Sequence, residues 1–432
     1  MGRLARILGL AAVFALVSPA SALAETLTLT LRAPEPITIG PYGVVTGEAL
    51  APSPRLDGYV VGMSATLVDA AGVELPIQNV MLHHVVFGKL GARDFTCSTY
   101  KGYDGRTRPV FAERFYGLGE ERTEITFPPG YGYANRASDL WGMIYMLMNH
   151  RNVRDTVWVK YTVRYVVGEP LVPVVPVWLD VRNCSSDPIF SVPGTGPTFS
   201  TYAQDAEFVM PESGRLVAGG AHLHGGGLKL ELTNETCGTG VFTSEPTWGL
   251  PVIKPVMHEN GPKHMTTFTS PAGIPVSKGD RLRLNAVYEN SLPHTRVMGI
   301  MLVYLAREPV SQCAAAPPLA PDPLSIPGAP PRVVLPLLRR PTGPLFRDLL
   351  STWAGDFRYG HQRVSLRRGT TFRWRFLGRE RHDVTLASGP VGFASPSVAS
   401  GSFAFRFTRR GTYKLFCSLH PTRMTQIIDV KG

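Results

Sequence analysis

Length, composition and charge limit what kind of protein this chain can be. The chain has 432 residues, 44% of them hydrophobic, which is enough for two to four domains with well-filled cores. After residue 24 no apolar run approaches the roughly 20 residues of a membrane helix. The formal net charge of +11 comes from the C-terminal part, where 18 Lys and Arg stand against 5 Asp and Glu from Arg332 onward. We therefore expect a soluble mature protein with one strongly basic domain.

The first 24 residues have the pattern of a secretory signal peptide. Arg3 and Arg6 precede an apolar run over residues 7–17, and Ala22-Leu23-Ala24 is a small-x-small cleavage site. We expect cleavage after Ala24 and export to the periplasm or the extracellular space, with a retained anchor as the alternative. Nucleic acid is not an expected partner of such a protein. Three pairs of basic residues predict a surface that docks an acidic redox partner, and a merely solubilising surface is the alternative. The pairs are Arg339-Arg340, Arg367-Arg368 and Arg409-Arg410.

The mature chain has the pattern of many short strands. Residues 26–31 alternate Thr and Leu, which predicts that the leucines share one face of a strand. Similar runs recur between 44 Gly and 38 Pro residues, and no long segment has the 3.6-residue period of a helix. This pattern favours all-β sandwiches. A Pro-rich tract over residues 313–345 predicts a semi-extended linker that separates the preceding part from a C-terminal domain at 346–432.

Three histidines in the first half are weak signals by themselves. His83 and His84 are neighbours, and neighbouring residues on a regular strand point to opposite faces. They can bind one metal ion only at a strand end or a bulge, and one core plus one surface histidine is the alternative. His150 ends an apolar, strand-like run.

His222 and His224 are a stronger signal. Their i, i+2 spacing places both imidazoles on one strand face, where both can reach one ion. The glycines at 225–227 predict space for a metal ion or a substrate, while exposure of both histidines to solvent is the alternative. Further on, Met298 lies in an apolar run, where methionine is normally a core residue, and Met301 is an alternative ligand in the same run.

The five cysteines divide into one candidate ligand and four candidates for disulfides. With Cys417 set aside, four remain in an exported and oxidising setting, and they allow three pairings. Cys184 with Cys313 is favoured because that bond would bracket one domain. The other two cysteines are Cys97 and Cys237.

The clearest chemical motif lies near the C-terminus. Cys417, His420 and Met424 occupy a tight turn between two apolar runs, and His382 begins a strand-like segment upstream. Thiolate and imidazole with a weak axial thioether are the ligands of a blue-copper electron-transfer site; a buried free cysteine beside unrelated histidines is the alternative. Residues 346–432 resemble the cupredoxin family. The resemblance implies a Greek-key β-sandwich and one type 1 copper, with Met424 axial and the other three ligands equatorial.

The order His-His, His, His-x-His and Met resembles a second family, the copper type II, ascorbate-dependent monooxygenases that hydroxylate peptidylglycine and dopamine. The resemblance implies two jelly-roll-like β-sandwich domains, at 25–185 and 186–312, and two further copper ions. It implies an electron-storing site formed by His83, His84 and His150. It implies a catalytic, dioxygen-activating site formed by His222, His224 and Met298.

Residues 82–86, 221–226 and 294–299 also resemble the plant stress-up-regulated nodulin family, over about residues 25–307. This resemblance implies the scaffold and copper, without an established reaction. The chain lacks the dense disulfide pattern of the monooxygenases, and His294 has no counterpart among their ligands. His258, His264 and His361 stay unassigned.

These features predict an exported copper-binding redox protein with a monooxygenase-like dicopper body. The tethered blue-copper domain would supply single electrons at a raised effective concentration, and the substrate would be a small molecule or a peptide. The alternatives are a non-catalytic electron carrier, a stress-related copper-binding protein, and a body with vestigial ligands. The sequence has no Ser/His/Asp set in a usable context, no phosphate-binding loop and no Cys-x2-Cys zinc pattern.

Overall fold

The computed structural model describes residues 25–101, 106–249 and 258–432. Within these ranges the secondary structure consists of β-strands, which confirms the expected all-β class. No helix in the described ranges is long and apolar enough to cross a membrane. The expected signal peptide lies outside the described residues.

The first sandwich follows the alternation of its sequence. Leu27, Leu29 and Leu31 all face the core, which confirms the strand predicted for residues 26–31. The strands are β1 (Glu25–Arg32), β2 (Ile37–Ile39), β3 (Val44–Ala51), β4 (Gly58–Val68), β5 (Val80–Leu90), β6 (Thr99–Lys101), β7 (Thr107–Pro109), β8 (Ala112–Gly119), β9 (Ile125–Thr126), β10 (Tyr131–Asn135), β11 (Trp141–Asn149) and β12 (Asp155–Val167). One sheet has the order β1-β12-β4-β10 and the facing sheet the order β3-β11-β5-β8.

The second sandwich shares a sheet with the first. Its strands are β13 (Val172–Asp180), β14 (Phe190–Val192), β15 (Thr201–Val209), β16 (Gly214–Leu223), β17 (Gly227–Asn234), β18 (Thr239–Ser244), β19 (Pro246–Thr247), β20 (His264–Met265), β21 (Phe268–Val276), β22 (Arg281–Glu289), β23 (His294–Val297) and β24 (Gly299–Arg307). The sheet β13-β24-β16-β21 continues from β10 of the first sandwich and faces the sheet β15-β22-β17-β18. β13 was expected in the first domain, but it pairs with β24 over seven residues.

The shared sheet is buried on both faces. Trp178 and Tyr304 pack into the core of the first sandwich, whereas their neighbours Leu179 and Val303 pack into the core of the second. Strands covered on both sides have nearly continuous apolar sequences, and residues 172–180 and 299–307 have such sequences. The two sandwiches therefore form one body.

The C-terminal domain is a separate β-sandwich with its own core. Its strands are β25 (Phe346–Arg347), β26 (Ser351–Gly355), β27 (Arg358–Tyr359), β28 (Arg363–Arg367), β29 (Thr371–Phe376), β30 (Thr385–Ser388), β31 (Gly401–Arg406), β32 (Gly411–Phe416) and β33 (Thr425–Lys431). The sheets β25-β28-β33-β32-β30 and β27-β26-β29-β31 mix parallel and antiparallel pairs, as the expected Greek-key sandwich does. Between them, Trp374 is fully buried and donates a hydrogen bond to Gln426 (2.8 Å). Full burial of such a side chain contributes about 1.5–3 kcal/mol.

The Pro-rich linker does not hold the C-terminal domain away from the body. Asp322 is bonded to the ring of His264 (2.8 Å), and Pro327 bridges to Thr247. The C-terminal domain itself contacts the second sandwich: the amide of Gly392 donates to the carbonyl of Pro193 (2.8 Å). The semi-extended spacer predicted from composition is instead packed along the second sandwich.

The disulfide pairing favoured from the sequence is wrong. Cys97 pairs with Cys184 and Cys237 with Cys313, with Cα–Cα distances of 5.6 and 5.3 Å. Cys184 is brought to Cys97 because the amide of Lys101, just after Cys97, donates to the carbonyl of Cys184 (3.2 Å). Cys417 is the free cysteine among the described residues, and it is buried.

Candidate metal centres

The C-terminal site assembles from the ends of three strands. His382 precedes β30, Cys417 directly follows β32, and Met424 directly precedes β33. The turn between β32 and β33 is closed by backbone hydrogen bonds from the amide of Cys417 to the carbonyl of Met424 (3.0 Å) and from the amide of Met424 to the carbonyl of His420 (3.0 Å). The hydrogen-bonded turn fixes three of the four expected ligands relative to one another.

The spacing of the donor atoms fits a single copper ion. The Nδ1 atoms of His382 and His420 are 3.2 Å apart, and Sγ of Cys417 is 3.6 Å from Nδ1 of His420. Imidazole nitrogens bind such ions at about 2.0–2.1 Å and thiolates at about 2.3 Å, so donors that share one ion lie about 3.3–3.7 Å apart. With the buried Met424 beside them, these residues have the geometry and the donor types of a type 1 copper site.

The protonation states suit metal binding. Burial and charge repulsion from neighbouring His382 lower the pKa of His420 to about 4, so its imidazole is neutral and able to coordinate at neutral pH. Burial, with a smaller contribution from Asp383, raises the pKa of the Cys417 thiol. Coordination to a metal ion would deprotonate this thiol outright. One hydrogen bond already stabilises its sulfur, from the amide of Asp383 (3.4 Å).

Asp383 ties the two ligand-bearing segments together. Its carboxylate accepts hydrogen bonds from the amide of Ser418 (2.9 Å) and from the hydroxyls of Ser418 (2.5 Å), Ser397 (3.0 Å) and Thr385 (2.8 Å). Asp383 is adjacent to His382 in the chain and Ser418 is adjacent to Cys417. The carboxylate therefore holds one histidine ligand and the cysteine ligand in register.

In the body, a β-bulge resolves the difficulty of the neighbouring histidines. β5 pairs with β11 so that His84 lies opposite Met146 and Leu82 opposite Leu147, which leaves His83 without a partner. A bulge turns the extra side chain out of strict alternation. The Nδ1 atoms of His83 and His84 consequently lie 3.0 Å apart, so both imidazoles can face one site.

His222 and His224 converge at the end of β16. Their Nε2 atoms are 3.0 Å apart, and both side chains are buried. On its other nitrogen, His222 contacts the carboxylate of Glu121 (Nδ1 to Oε2, 2.9 Å), which is itself anchored by the amide of Gly119 (2.8 Å). A carboxylate on the second ring nitrogen is the usual way in which a metal-binding histidine is oriented.

The structure brings the two expected body sites into one cluster. The rings of His83 and His224 have centroids 4.8 Å apart and meet edge to face. Burial, together with nearby His222, lowers the pKa of His84 to about 3. The two expected sets of ligands therefore lie side by side, because the ring of His224, which follows β16, meets the ring of His83 on β5.

The remaining expected ligands, His150 and Met298, are less directly connected to this cluster. Burial and His258 lower the pKa of His150 to about 4, and Glu120 opposes them. Met298 lines the same cavity as His222 and His224. Met301 faces away from the cavity, into the core of the second sandwich, which disfavours it as the alternative ligand.

Three members of the cluster were not identified from the sequence: Glu120, Glu121 and His258. The two glutamates directly follow β8, whose Gly119 pairs with His84. Pairing of these strands would have placed them near the histidines, but the sequence does not predict which strands pair. His258 belongs to no recognisable motif. His264 and His361, also unassigned, contact Asp322 and Thr352 respectively, away from this cluster.

The glycines after His224 were predicted to leave space for a metal ion or a substrate, but protein side chains occupy that space. A Cβ on Gly225 would approach Cβ of Glu259 at 2.5 Å, and a Cβ on Gly226 would overlap the ring of His294. Gly226 also has a φ of 81°, which favours glycine. These positions make room for side chains of the protein, not for a metal ion or a substrate.

A cavity of about 1360 Å³ joins the body cluster to the C-terminal domain. Its wall includes His84 and His224 from the body, and Ser418 and Leu419 beside the C-terminal ligands. Arg296 lies in this contact, with Nη1 at 3.7 Å from Oδ2 of Asp383. The two candidate centres therefore open toward a common space.

Comparisons with known proteins agree with parts of this description. A family model described as Stress up-regulated Nod 19 matches residues 146–308, a range that contains His150, His222, His224 and Met298. This confirms part of the nodulin-like resemblance. No curated protein matches the chain.

Several solved structures of cupredoxins are similar to part of the chain. An oxidised mutant of amicyanin is 20% identical and covers 19% of this chain and 81% of its own, with a TM-score of 0.18. A Cu(I) form of another amicyanin mutant is 22% identical over 19% and 83%, also with a TM-score of 0.18. A purple cupredoxin from Nitrosopumilus maritimus is 28% identical over 17% and 81%, with a TM-score of 0.16. The type 1 assignment rests on the ligand geometry described above.

Proposed function

We propose that this protein is an exported copper redox protein in which the C-terminal domain exchanges electrons with a metal centre in the body. The observation that carries the proposal is the link between the two centres. Ser418, next to the cysteine ligand, is bonded to Asp383, and Asp383 is paired with Arg296 of the body. Two residues beyond Arg296, Met298 lines the cavity with His222 and His224.

Each part of the link has a physical role. Bound by the C-terminal ligands, copper would supply one-electron transfer without rearrangement of its surroundings. The buried carboxylate of Asp383 holds the ligand segments rigid, and Arg296 compensates its charge across the domain contact. On the body side, the phenol of Tyr288 donates to the carbonyl of Met298 (2.5 Å) and accepts from the amide of His224 (3.0 Å). Hydrogen bonds, the ion pair of Arg296 with Asp383 and the backbone from Arg296 to Met298 thus connect one ligand set to the other.

The cavity favours an enzyme over a simple carrier. An electron carrier needs no enclosed space beside its second centre, whereas about 1360 Å³ is ample for a small organic substrate. Apolar side chains such as Val86, Ile144 and Leu302 form part of its wall. We therefore propose monooxygenase-like oxidation of a small, partly apolar substrate, with His222, His224 and Met298 as the ligands nearest the chemistry.

Two further features support export and docking. Two disulfides are typical of an oxidising compartment, in keeping with the signal pattern of residues 1–24. On β29, Arg373 and Arg375 are exposed while Phe372 and Trp374 between them are buried. This row of arginines on the outer face of the sheet suits an acidic electron donor, because complementary charge mainly raises the encounter rate.

Copper content and EPR of the mature chain test the proposal. We expect more than one copper per chain, with one blue signal and a type 2 signal that His84→Ala and His222→Ala weaken or abolish. His264→Gln, which changes a body histidine outside the cluster, should leave both signals intact. If the chain binds only one copper under saturating metal, and that copper is blue, the protein is an electron carrier and the proposed reaction in the body is wrong. Ascorbate-dependent oxygen uptake that survives His222→Ala would remove His222 from the reaction.

A further inference from the structure

We infer that His83, Glu120 and His258 form a separate binding site for a divalent first-row transition-metal ion, beside the His222–His224 pair. One ligand atom from each of the three side chains lies within 4.8 Å of the other two. The residues come from β5, from the segment after β8 and from the segment that precedes β20. No motif in the sequence predicts this set, and the site does not depend on copper at the C-terminal domain.

The arrangement of the rings matches ligands around one ion. The rings of His83 and His258 have centroids 4.7 Å apart and are inclined at 77°, so they meet edge to face and do not stack. Nε2 of His258 contacts Oε1 of Glu120. The other carboxylate oxygen, Oε2, accepts a hydrogen bond from the amide of Gly261 (2.7 Å). This backbone contact fixes the carboxylate with one oxygen directed at the two imidazoles.

Glu120 is buried beside the two imidazoles. Only 7% of Glu120 is exposed. A buried carboxylate requires a compensating positive charge, which a divalent ion between the three side chains would supply.

His83 is buried, with 4% of the residue exposed, and its ring lies against the rings of His258 and His224. Neither ring nitrogen of the nearby strand-end residue His150 has a hydrogen-bond partner among the described residues, although both are buried.

The donor set differs in chemistry from the C-terminal site. Two imidazoles and one carboxylate suit Zn²⁺, Fe²⁺ or Cu²⁺, whereas thiolate with thioether selects copper. The body would then hold two adjacent metal positions, one at His222, His224 and Met298 without a carboxylate ligand and one with a carboxylate.

Zn²⁺ titration of the full mature chain tests this site. The metal-free protein is first given one equivalent of copper, and its blue absorption is recorded; Zn²⁺ is then added and followed by calorimetry and by elemental analysis after desalting. Glu120→Gln keeps the shape of the side chain and removes its charge. We expect it to weaken binding of one Zn²⁺ by more than about 100-fold, because even residues that only orient ligands change affinity roughly 10–100-fold.

Matched variants make the result decisive. Glu124→Gln makes the same change at an exposed carboxylate four residues away and should bind Zn²⁺ like the wild type. If Glu120→Gln does not fold, His258→Gln is the second variant, with unchanged blue absorption as evidence of folding. The inference is overturned if the wild type binds no Zn²⁺ tightly, or if His224→Gln abolishes binding while Glu120→Gln does not. Either outcome leaves the copper content of the C-terminal domain, and the proposed function, unaffected.

Discussion

Arg296 of the second sandwich and Asp383 of the C-terminal domain form an ion pair across the domain contact, with 3.7 Å between Nη1 and Oδ2. Arg296 is the extra residue of a β-bulge, since the register of β14 with β23 passes from Val297 directly to Thr295. Its φ is 56°, a left-handed conformation that is uncommon for a residue other than glycine. The bulge directs its side chain at the carboxylate that holds the copper ligands.

We expect Arg296→Met to slow electron transfer between the domains by about tenfold or more, because the domain contact loses one partner of a buried charge pair. The change removes the positive charge that faces the carboxylate of Asp383 (3.7 Å). The blue absorption should stay, because Asp383 keeps its hydrogen bonds to the ligand segments. Flash-induced reduction of the C-terminal site bleaches its blue absorption, and the rate at which the absorption recovers measures electron transfer to the body.

Arg409→Met is the control for this prediction. Arg409 also crosses the domain contact, through a bond to the carbonyl of Thr195 (3.1 Å), but it does not touch Asp383. Equal effects of the two variants would mean that Arg296 contributes to general docking only, and not to a specific connection between the centres.

Glu121→Gln should lower copper affinity of the body about 10–100-fold, the usual cost of losing a carboxylate that orients a histidine ligand. Glu121 determines which nitrogen of His222 faces the cluster, so the type 2 EPR parameters should also change. The C-terminal site should be unaffected. Copper competition titrations check the affinity, and a wild-type value would show that Glu121 does not orient a ligand.

Gly119→Ala should displace His222 and abolish metal binding at its site. A Cβ at this position would overlap the imidazole of His222, and overpacking of this kind costs about 1–3 kcal/mol. Gly240→Ala, where an added Cβ meets nothing within 4 Å, is the matched control. Copper content and thermal unfolding of both variants make the comparison. Normal copper content in Gly119→Ala would mean that His222 is not needed as a ligand.

The body should become less stable as the pH rises, because His294 then loses the charge with which it stabilises the fold. Its Nδ1 contacts Glu259 (2.7 Å) and its Nε2 contacts Glu289 (3.2 Å). Burial lowers its pKa, but the two carboxylates outweigh burial, so the pKa is raised above 6.5 in the folded protein. The stabilisation by this imidazolium is therefore complete below pH 6.5 and is lost as the pH rises through the folded value.

Unfolding of metal-free wild type and His294→Gln between pH 6 and 9 measures this effect. The wild type should be more stable by about 1–3 kcal/mol at pH 6, and the difference should shrink as the pH rises. A difference that grows with pH would contradict the assignment of a charged His294.

The C-terminal site could be predicted from the sequence because its ligands are local. Cys417, His420 and Met424 share one turn, and the spacing within a turn determines which atoms can meet. The body was harder to predict. The sequence indicates that His83 and His84 need a bulge to share a site, and the structure places one there, but the pairing that creates the bulge involves β11, some sixty residues later in the chain.

The sequence by itself determined the all-β class, the blue-copper ligand set and the histidines of the body. Alternating side chains and short motifs carry that information locally. Only the tertiary structure decided that His224, just beyond β16, meets His83 of β5, and that Glu120 and His258 join them. These contacts depend on a sheet buried on both faces, and pairing between distant strands leaves no local pattern from which His258 could have been identified. The same physical reason explains the disulfide pairing, since Cys184 lies next to Cys97 only after the chain has folded.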